Sequence, residues 1–304
     1  MGLRFGLLGT GYWAAETHGA ALDAHPDATL AGVWGRDPAK AAALADRYGT
    51  RAYDGVDALL ADVDAVAIAL PPDVQAGLAL RAARAGKHLL LDKPVALSAA
   101  AAGELAAEVT ARGLASVVFF TNRFSDTVED FVRSAAAEGG WHGVRATLFA
   151  SIFQPGNPYG ASPWRRERGG LWDVGPHVLS VVLPVLGPVT RVTAVSGPRH
   201  TTHLLTQHEG GAVGSFAVTL DSAPEAKAFE IVLHGEQGWV PVPGGDRTAV
   251  EAFGVAIDRL SAQVGGATDE PCDVRFGRDV VAVLEAAERS VSLGRAVDVD
   301  EATG

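Results

Sequence analysis

Three small groups of residues in this 304-residue chain have the types and spacing to do chemistry. The first is Gly9-Thr10-Gly11-Tyr12-Trp13-Ala14, which directly follows a short apolar run. In this G-x-G-x-x-A spacing, Gly9 permits a tight turn and Gly11 lets the backbone approach a pyrophosphate. Ala14 keeps the helix that follows close to a sheet, so that its N-terminal amides face the phosphates. The second is Lys93 in Leu89-Leu90-Leu91-Asp92-Lys93-Pro94, at the carboxyl end of an expected buried strand. An ammonium there can stabilise charge developing on a substrate oxygen, and Pro94 keeps the residue before it extended. The chain has four lysines against 21 arginines, so a lysine at this edge is not readily dismissed as a solvating residue. The third is Asp173 with His177, four apart at the start of an expected helix and so on one face. An imidazole suits proton transfer near neutral pH, and a carboxylate one turn earlier can orient it or contact substrate. Taken bare, a D-x-x-x-H pair also fits a helix-surface interaction or half of a metal site. No third ligand stands nearby, so no metal is expected.

Cofactor selection should lie about twenty positions past the glycine loop, where an acid would accept the 2′-hydroxyl of NAD. That stretch is Val33-Trp34-Gly35-Arg36, with Gly35 in the acidic slot. A missing carboxylate leaves room for a 2′-phosphate, and the Arg36 guanidinium can bind it bidentately, so NADP(H) is expected over NAD(H). Asp37 is expected to cap a helix beginning at Pro38.

The elements that must carry these groups follow from periodicity. Apolar runs at 3–8, 29–34, 51–53, 65–70, 88–91 and 115–120 alternate with helical stretches at 12–24, 38–48, 56–60, 74–85 and 99–112. This alternation predicts a doubly wound parallel sheet, a Rossmann domain over residues 1–121. Residues 122–304 read as a second, α+β domain with an open, mainly antiparallel sheet. A helix at 125–138 precedes a strand at 144–153, and a polar loop then runs to Gly170. A helix to Leu186 comes next, then strands at 189–196, 202–208, 212–219 and 229–233, with short glycine turns such as Glu209-Gly210-Gly211 implying hairpins. Residues 276–293 form a last amphipathic helix.

Composition narrows the function classes. A net charge of −11 argues against a nucleic-acid partner. Cys272 is the single cysteine, so no intrachain disulfide forms and a reducing compartment is expected. The N-terminal apolar run is too short for a signal peptide, and no run approaches the ~20 residues of a membrane span. The expected location is cytoplasmic, with no membrane partner.

The segments Leu70-Pro71-Pro72-Asp73, Ala85-Gly86-Lys87-His88 and Asp92-Lys93-Pro94 resemble the Gfo/Idh/MocA family of oxidoreductases. Asn122-Arg123-Phe124 and Trp164-Arg165, with Gly169-Gly170-Leu171-Trp172-Asp173-Val174-Gly175-Pro176-His177, are similar to its later motifs, in the family's order along nearly the whole chain. The resemblance implies hydride transfer between a nicotinamide cofactor and a hydroxyl or carbonyl of a sugar, cyclitol, dihydrodiol or related small molecule. Lys93, Asp173 and His177 would be catalytic. Gly9, Thr10, Gly11, Tyr12, Trp13, Gly35, Arg36, Leu70, Pro71, Asp92 and Lys93 would hold the cofactor, and Arg123, Trp164 and Arg165 the substrate. Asp92 replaces the family's glutamate, and Gln75 stands where many members carry histidine, which would alter contacts near the nicotinamide ribose. Arg166 and Arg168 read as a solvated basic loop, and His200, His203 and His208 as surface histidines. A homodimer or homotetramer is implied. Two alternatives stay open: a redox-neutral lyase or hydrolase with tightly bound nucleotide, and a non-catalytic nucleotide-sensing regulator.

Overall fold

The structure, a computed structural model, describes residues 2–303 and divides into two compact units. The first holds the chain to Leu97, then Ala101–Phe124 and Arg247–Arg278. The second holds Ser98–Ala100, Ser125–Asp246 and the chain from Asp279.

In the first unit β1 (Leu3–Leu8), β2 (Ala28–Trp34), β3 (Arg51–Ala52), β4 (Ala65–Ile68), β5 (His88–Asp92) and β6 (Ser116–Phe119) form one parallel sheet. Its order is β3-β2-β1-β4-β5-β6. The helices along this stretch are α1 (Ala20–Ala24), α2 (Pro38–Arg47), α3 (Val56–Ala61), α4 (Pro72–Arg84) and α5 (Ala99–Ala111). Every residue of β4 and β6 is buried, which is why these strands read as unbroken apolar runs: a parallel sheet is covered on both faces. The strand order reverses between β1 and β4, and ligands bind at the carboxyl edge beside such a switch point.

The helix after the glycine loop contains a π-helical segment, Ala14–Gly19, ahead of α1. Single π turns disturb the hydrogen-bond ladder and free a carbonyl. Here the Tyr48 hydroxyl donates to the Ala15 carbonyl at 2.6 Å. Gly19 makes this possible, because a Cβ there would lie 2.6 Å from the Tyr48 ring. The widened turn buries His18 between Phe253 (ring centroids 4.1 Å apart) and Phe119 (6.3 Å).

In the second unit α6 (Asp126–Glu138), α7 (Pro163–Asp173) and α8 (Gly175–Leu186) accompany a seven-stranded sheet. Its strands are β7 (Trp141–Phe149), β8 (Val189–Ser196), β9 (Thr202–His208), β10 (Val213–Thr219), β11 (Ala228–Gly235), β12 (Gly238–Pro241) and β13 (Val297–Asp298), in the order β12-β11-β7-β10-β9-β8-β13. Val128 and Val132 of α6 pack with Val181 of α8 to form a small core. The opposite face is open: Val195, Leu205, Val213 and Trp239 lie on it at 45–63% exposure. The register Val213–Gly143–His234–Trp239 puts the last two of these in one cross-strand row.

Several expectations change here. The sheet is mainly antiparallel, as expected, with one exception: β7 pairs parallel with β10, the two being separated by α7, α8 and the β8–β9 pair rather than by a hairpin turn. Residues 163–168, read as loop, begin α7. The division also falls differently from 1–121 and 122–304. Helix α9 (Ala249–Val264) lies with the first unit because Ala252, Phe253, Ala256, Ile257 and Leu260 bury against β5, β6 and the π segment. No helix was expected here, although Thr248 and Glu251 form a reciprocal capping box ahead of that apolar stripe. The last helices are α10 (Val274–Leu293) and α11 (Val299–Thr303). His208 is no surface histidine; it is buried, with Nδ1 2.8 Å from the Gly187 carbonyl, and burial lowers its pKa. The helical stretch Pro163–Leu186 is long and apolar enough to cross a membrane by composition, but its apolar window is 72% buried within the protein.

Candidate active site

Gly9 turns the chain at the end of β1 with φ of +135°, and a Cβ there would lie 2.5 Å from the Ala69 carbonyl oxygen. Its amide donates to the Trp34 carbonyl at 2.9 Å, tying the loop to the end of β2. The helix opens at Gly11, whose carbonyl accepts from Ala15 N at 2.9 Å. Gly11 differs from Gly9 in having no left-handed backbone, and a Cβ built on it would meet nothing within 4 Å. Nothing inside the protein requires glycine there. The open space at this helix N-terminus leaves room for the backbone to meet a pyrophosphate. Tyr12 is 52% exposed, and Trp13 stacks on Phe119 with ring centroids 6.4 Å apart.

At the end of β2, Arg36 is exposed and Asp37 is committed to a helix cap, its carboxylate accepting from Ala39 N at 3.0 Å and Lys40 N at 3.2 Å. Leu70 and Pro71 follow β4, with Pro71 capping α4.

Lys93 follows β5 directly, half-buried. The residues around it are clamped by Gln75 of α4, which is fully buried. Its Nε2 donates to the carbonyls of Asp92 at 2.7 Å and Pro94 at 3.1 Å, and its Oε1 accepts from Asp92 N at 3.0 Å. The Asp92 carboxylate adds a fourth bond, accepting from Lys93 N at 3.0 Å. The sequence reading linked Gln75 to the nicotinamide ribose. The structure commits its amide to the backbone on both sides of Lys93, a role that spacing could not reveal because helix and strand end meet only after folding.

In the second unit, Asp173 and His177 do not share one helix. Asp173 ends α7 and His177 lies in the first turn of α8, with Val174 between the helices. Pro176 lacks an amide donor and so interrupts the ladder, and His177 N donates to Val174 O at 3.1 Å instead. Asp173 is buried and pairs with Arg165, Nε to Oδ2 at 2.9 Å. The Arg165 guanidinium lies over the rings of Trp164 (4.8 Å) and Tyr159 (5.1 Å). Trp164 and Arg165, expected to touch substrate, are thus brought together with the expected catalytic acid. Gly170 fixes this corner to the sheet, since a Cβ on it would lie 2.5 Å from Cα of Thr219 in β10. Arg168 and Trp172 both donate to Glu288 of α10, at 2.9 and 3.1 Å. Arg123, the third expected substrate residue, belongs to the first unit and is buried in a 3₁₀ turn, Thr121–Phe124. Among the described residues no group of three or more His, Cys, Asp or Glu could hold a metal ion.

A parallel sheet in this order, with a glycine loop at its switch point, defines a dinucleotide-binding Rossmann domain. Residues 3–120 match the oxidoreductase family with an NAD-binding Rossmann fold, and residues 132–240 match the Gfo/Idh/MocA C-terminal domain. The chain belongs to the Gfo/Idh/MocA family, and its first unit binds a nicotinamide nucleotide.

Among curated relatives, the dTDP-3,4-didehydro-2,6-dideoxy-alpha-D-glucose 3-reductase of Streptomyces antibioticus is 35% identical over 61% of this chain, and the match spans 57% of that protein. The D-xylose 1-dehydrogenase (NADP(+)) 2 of Haloferax volcanii is 28% identical over 98% of this chain and 92% of its own length. Among solved structures, the UDP-N-acetylglucosamine 3-dehydrogenase GnnA of Acidithiobacillus ferrooxidans superimposes with a TM-score of 0.81 at 23% identity, covering 96% of this chain and 99% of that one, a likeness of fold.

Proposed function

We propose that this protein is an NAD(P)-dependent oxidoreductase acting on a CH–OH group or its carbonyl counterpart in a sugar, cyclitol, dihydrodiol or related small molecule. The observation that carries the reading is the glycine loop at the switch point of the parallel sheet, with open space at Gly11 where the helix begins. A bound nicotinamide supplies the hydride acceptor or donor. Tyr12, Trp13, Leu70, Pro71 and Asp92 join the glycine loop in holding that nucleotide. The chain's own residues handle the proton and the charge. His177 takes the hydroxyl proton in oxidation and returns it in reduction, and the Lys93 ammonium stabilises negative charge on the reacting oxygen. Asp173, held by Arg165, positions substrate or the imidazole. Arg123 and Trp164 belong to substrate binding.

NADP(H) is the preferred cofactor in this reading. Arg36 stands exposed for a 2′-phosphate, while Asp37, the nearest carboxylate in sequence, is engaged in capping α2. The nucleotide preference named for the Haloferax relative agrees. A second copy of the chain covers the apolar open face of the seven-stranded sheet, giving a homodimer or homotetramer. The single, buried Cys272 suits a reducing, cytoplasmic setting.

Fluorescence titration with both nucleotides, followed by a panel of aldoses, ketoses, cyclitols and diols, tests the proposal. Tighter NADP(H) binding that Arg36→Ala reduces by roughly 10–100-fold, the worth of a charge-assisted hydrogen bond, is expected, together with net nucleotide oxidation or reduction by at least one substrate. Failure to bind either nucleotide overturns the reading. Substrate conversion without net change in nucleotide selects the redox-neutral alternative.

A further inference from the structure

Gly35 is the opposite case to Gly11. A Cβ built on Gly35 would lie 2.5 Å from Thr10 Cγ2, 3.1 Å from its Oγ1 and 3.4 Å from its Cβ. Gly35 has no left-handed backbone that would itself demand glycine. The space a side chain would occupy at the end of β2 is already taken, by the threonine of the glycine loop.

We propose that Thr10 is a cofactor-specificity residue: its side chain, the Cγ2 methyl foremost, fills the position from which a carboxylate at residue 35 would reach the ribose. This rests on the reading of Arg36 as the 2′-phosphate ligand and adds a second, independent element to it. The loop and the strand end are joined by the Gly9 N to Trp34 O bond, so the backbone cannot slide apart to relieve the contact without breaking that link. What remains is rotation of Thr10 about χ1, which is stiff for a β-branched residue. An acid introduced at position 35 therefore enters only by displacing Thr10. Shortening residue 10 to alanine removes both close γ atoms and leaves its Cβ at 3.4 Å, ordinary contact distance. The two positions act as a pair: threonine with glycine keeps a carboxylate away from a phosphate, and a small residue at 10 makes room for an acid at 35.

The test is a double-mutant cycle on the full chain, with NADP(H) and NAD(H) affinities measured by fluorescence titration for wild type, Thr10→Ala, Gly35→Asp and the double variant. The gate requires that Gly35→Asp shift the ratio of affinities toward NAD(H) by ~10-fold more in the Thr10→Ala background than with Thr10 present, the scale of one charged hydrogen bond. An equal shift in both backgrounds overturns it. Thermal unfolding of Gly35→Ala without nucleotide supplies a readout that does not depend on a folded aspartate variant. The melting temperature should fall when residue 10 is threonine and recover when it is alanine, and equal losses also overturn the gate. A wild type that prefers NAD(H) removes the Arg36 reading by itself, while the coupling within the cycle still decides whether Thr10 controls residue 35.

Discussion

The strand end that carries Lys93 and the helix corner that carries Asp173 and His177 are built in different ways. Lys93 follows a strand buried among others of its sheet, and Gln75 and Asp92 together make four hydrogen bonds to the backbone of residues 92–94. The Asp173–His177 corner rests on contacts of another kind. They are the Arg165–Asp173 ion pair, the close approach of Gly170 to the Thr219 backbone, and Trp172 with Arg168 on Glu288. A cation that stabilises charge must stay in place, and a backbone clamp does that. The strand end is fixed through its backbone, whereas the helix corner depends on a buried ion pair and on side-chain hydrogen bonds, so a single substitution loosens the two in different ways.

The largest expected effect comes from removing the proton carrier. His177→Ala should lower kcat/KM for alcohol oxidation by about 10²–10⁴-fold and abolish the limb that rises with pH, whereas Lys93→Ala should lower turnover by ~10²-fold or more and weaken nucleotide affinity far less. pH–rate profiles of the two variants separate the roles; identical profiles would erase the distinction drawn between the two regions.

A smaller effect probes the clamp. Gln75→Leu leaves the Asp92 amide and the carbonyls of Asp92 and Pro94 without their buried partner, at a cost of about 1–3 kcal/mol for each unsatisfied group. Turnover should fall beyond what lost stability explains, since Lys93 is then held less firmly, and Gln75→Glu should recover only part of it. If denaturant melts shift while kcat stays at the wild-type level, Gln75 serves stability alone.

The smallest effect is on stability against pH and lies beneath the glycine loop. Burial lowers the His18 pKa from 6.5 to about 3, so folding favours the neutral ring. The unfolded chain binds the proton first as pH falls. The contribution of the neutral ring is therefore fully present above about pH 6.5 and is lost toward pH 3, at ~1.4 kcal/mol per pH unit for one proton. His18→Leu should flatten that part of the stability curve without changing nucleotide specificity, as urea melts between pH 7 and pH 5 would reveal. Unchanged curvature would mean that His18 is not what makes this region acid-sensitive.

Much of the first unit is legible in local sequence. A parallel strand must be apolar along its length, a glycine loop must follow it, and Asp37 before Pro38 is a helix start wherever it occurs, so β1, the loop and α2 could be placed from short windows. The second unit was legible as strands and helices but not in its pairing, because the parallel β7–β10 ladder joins segments about seventy residues apart. Helix α9 shows the same limit: its cap and stripe are local signals, but the unit on which that stripe buries is not.

The sequence by itself determined which residues could do chemistry here, because G-x-G-x-x-A, a lysine after an apolar strand and an aspartate and histidine flanking Gly-Pro owe their meaning to near neighbours. Only the tertiary structure decided what supports and limits them. Gln75 closes on Asp92 and Pro94, Arg165 on Asp173, Thr10 on Gly35, and Phe253 on His18 across more than two hundred residues. Such contacts have no signature in the sequence, since they depend on which faces meet when helices and strands pack together.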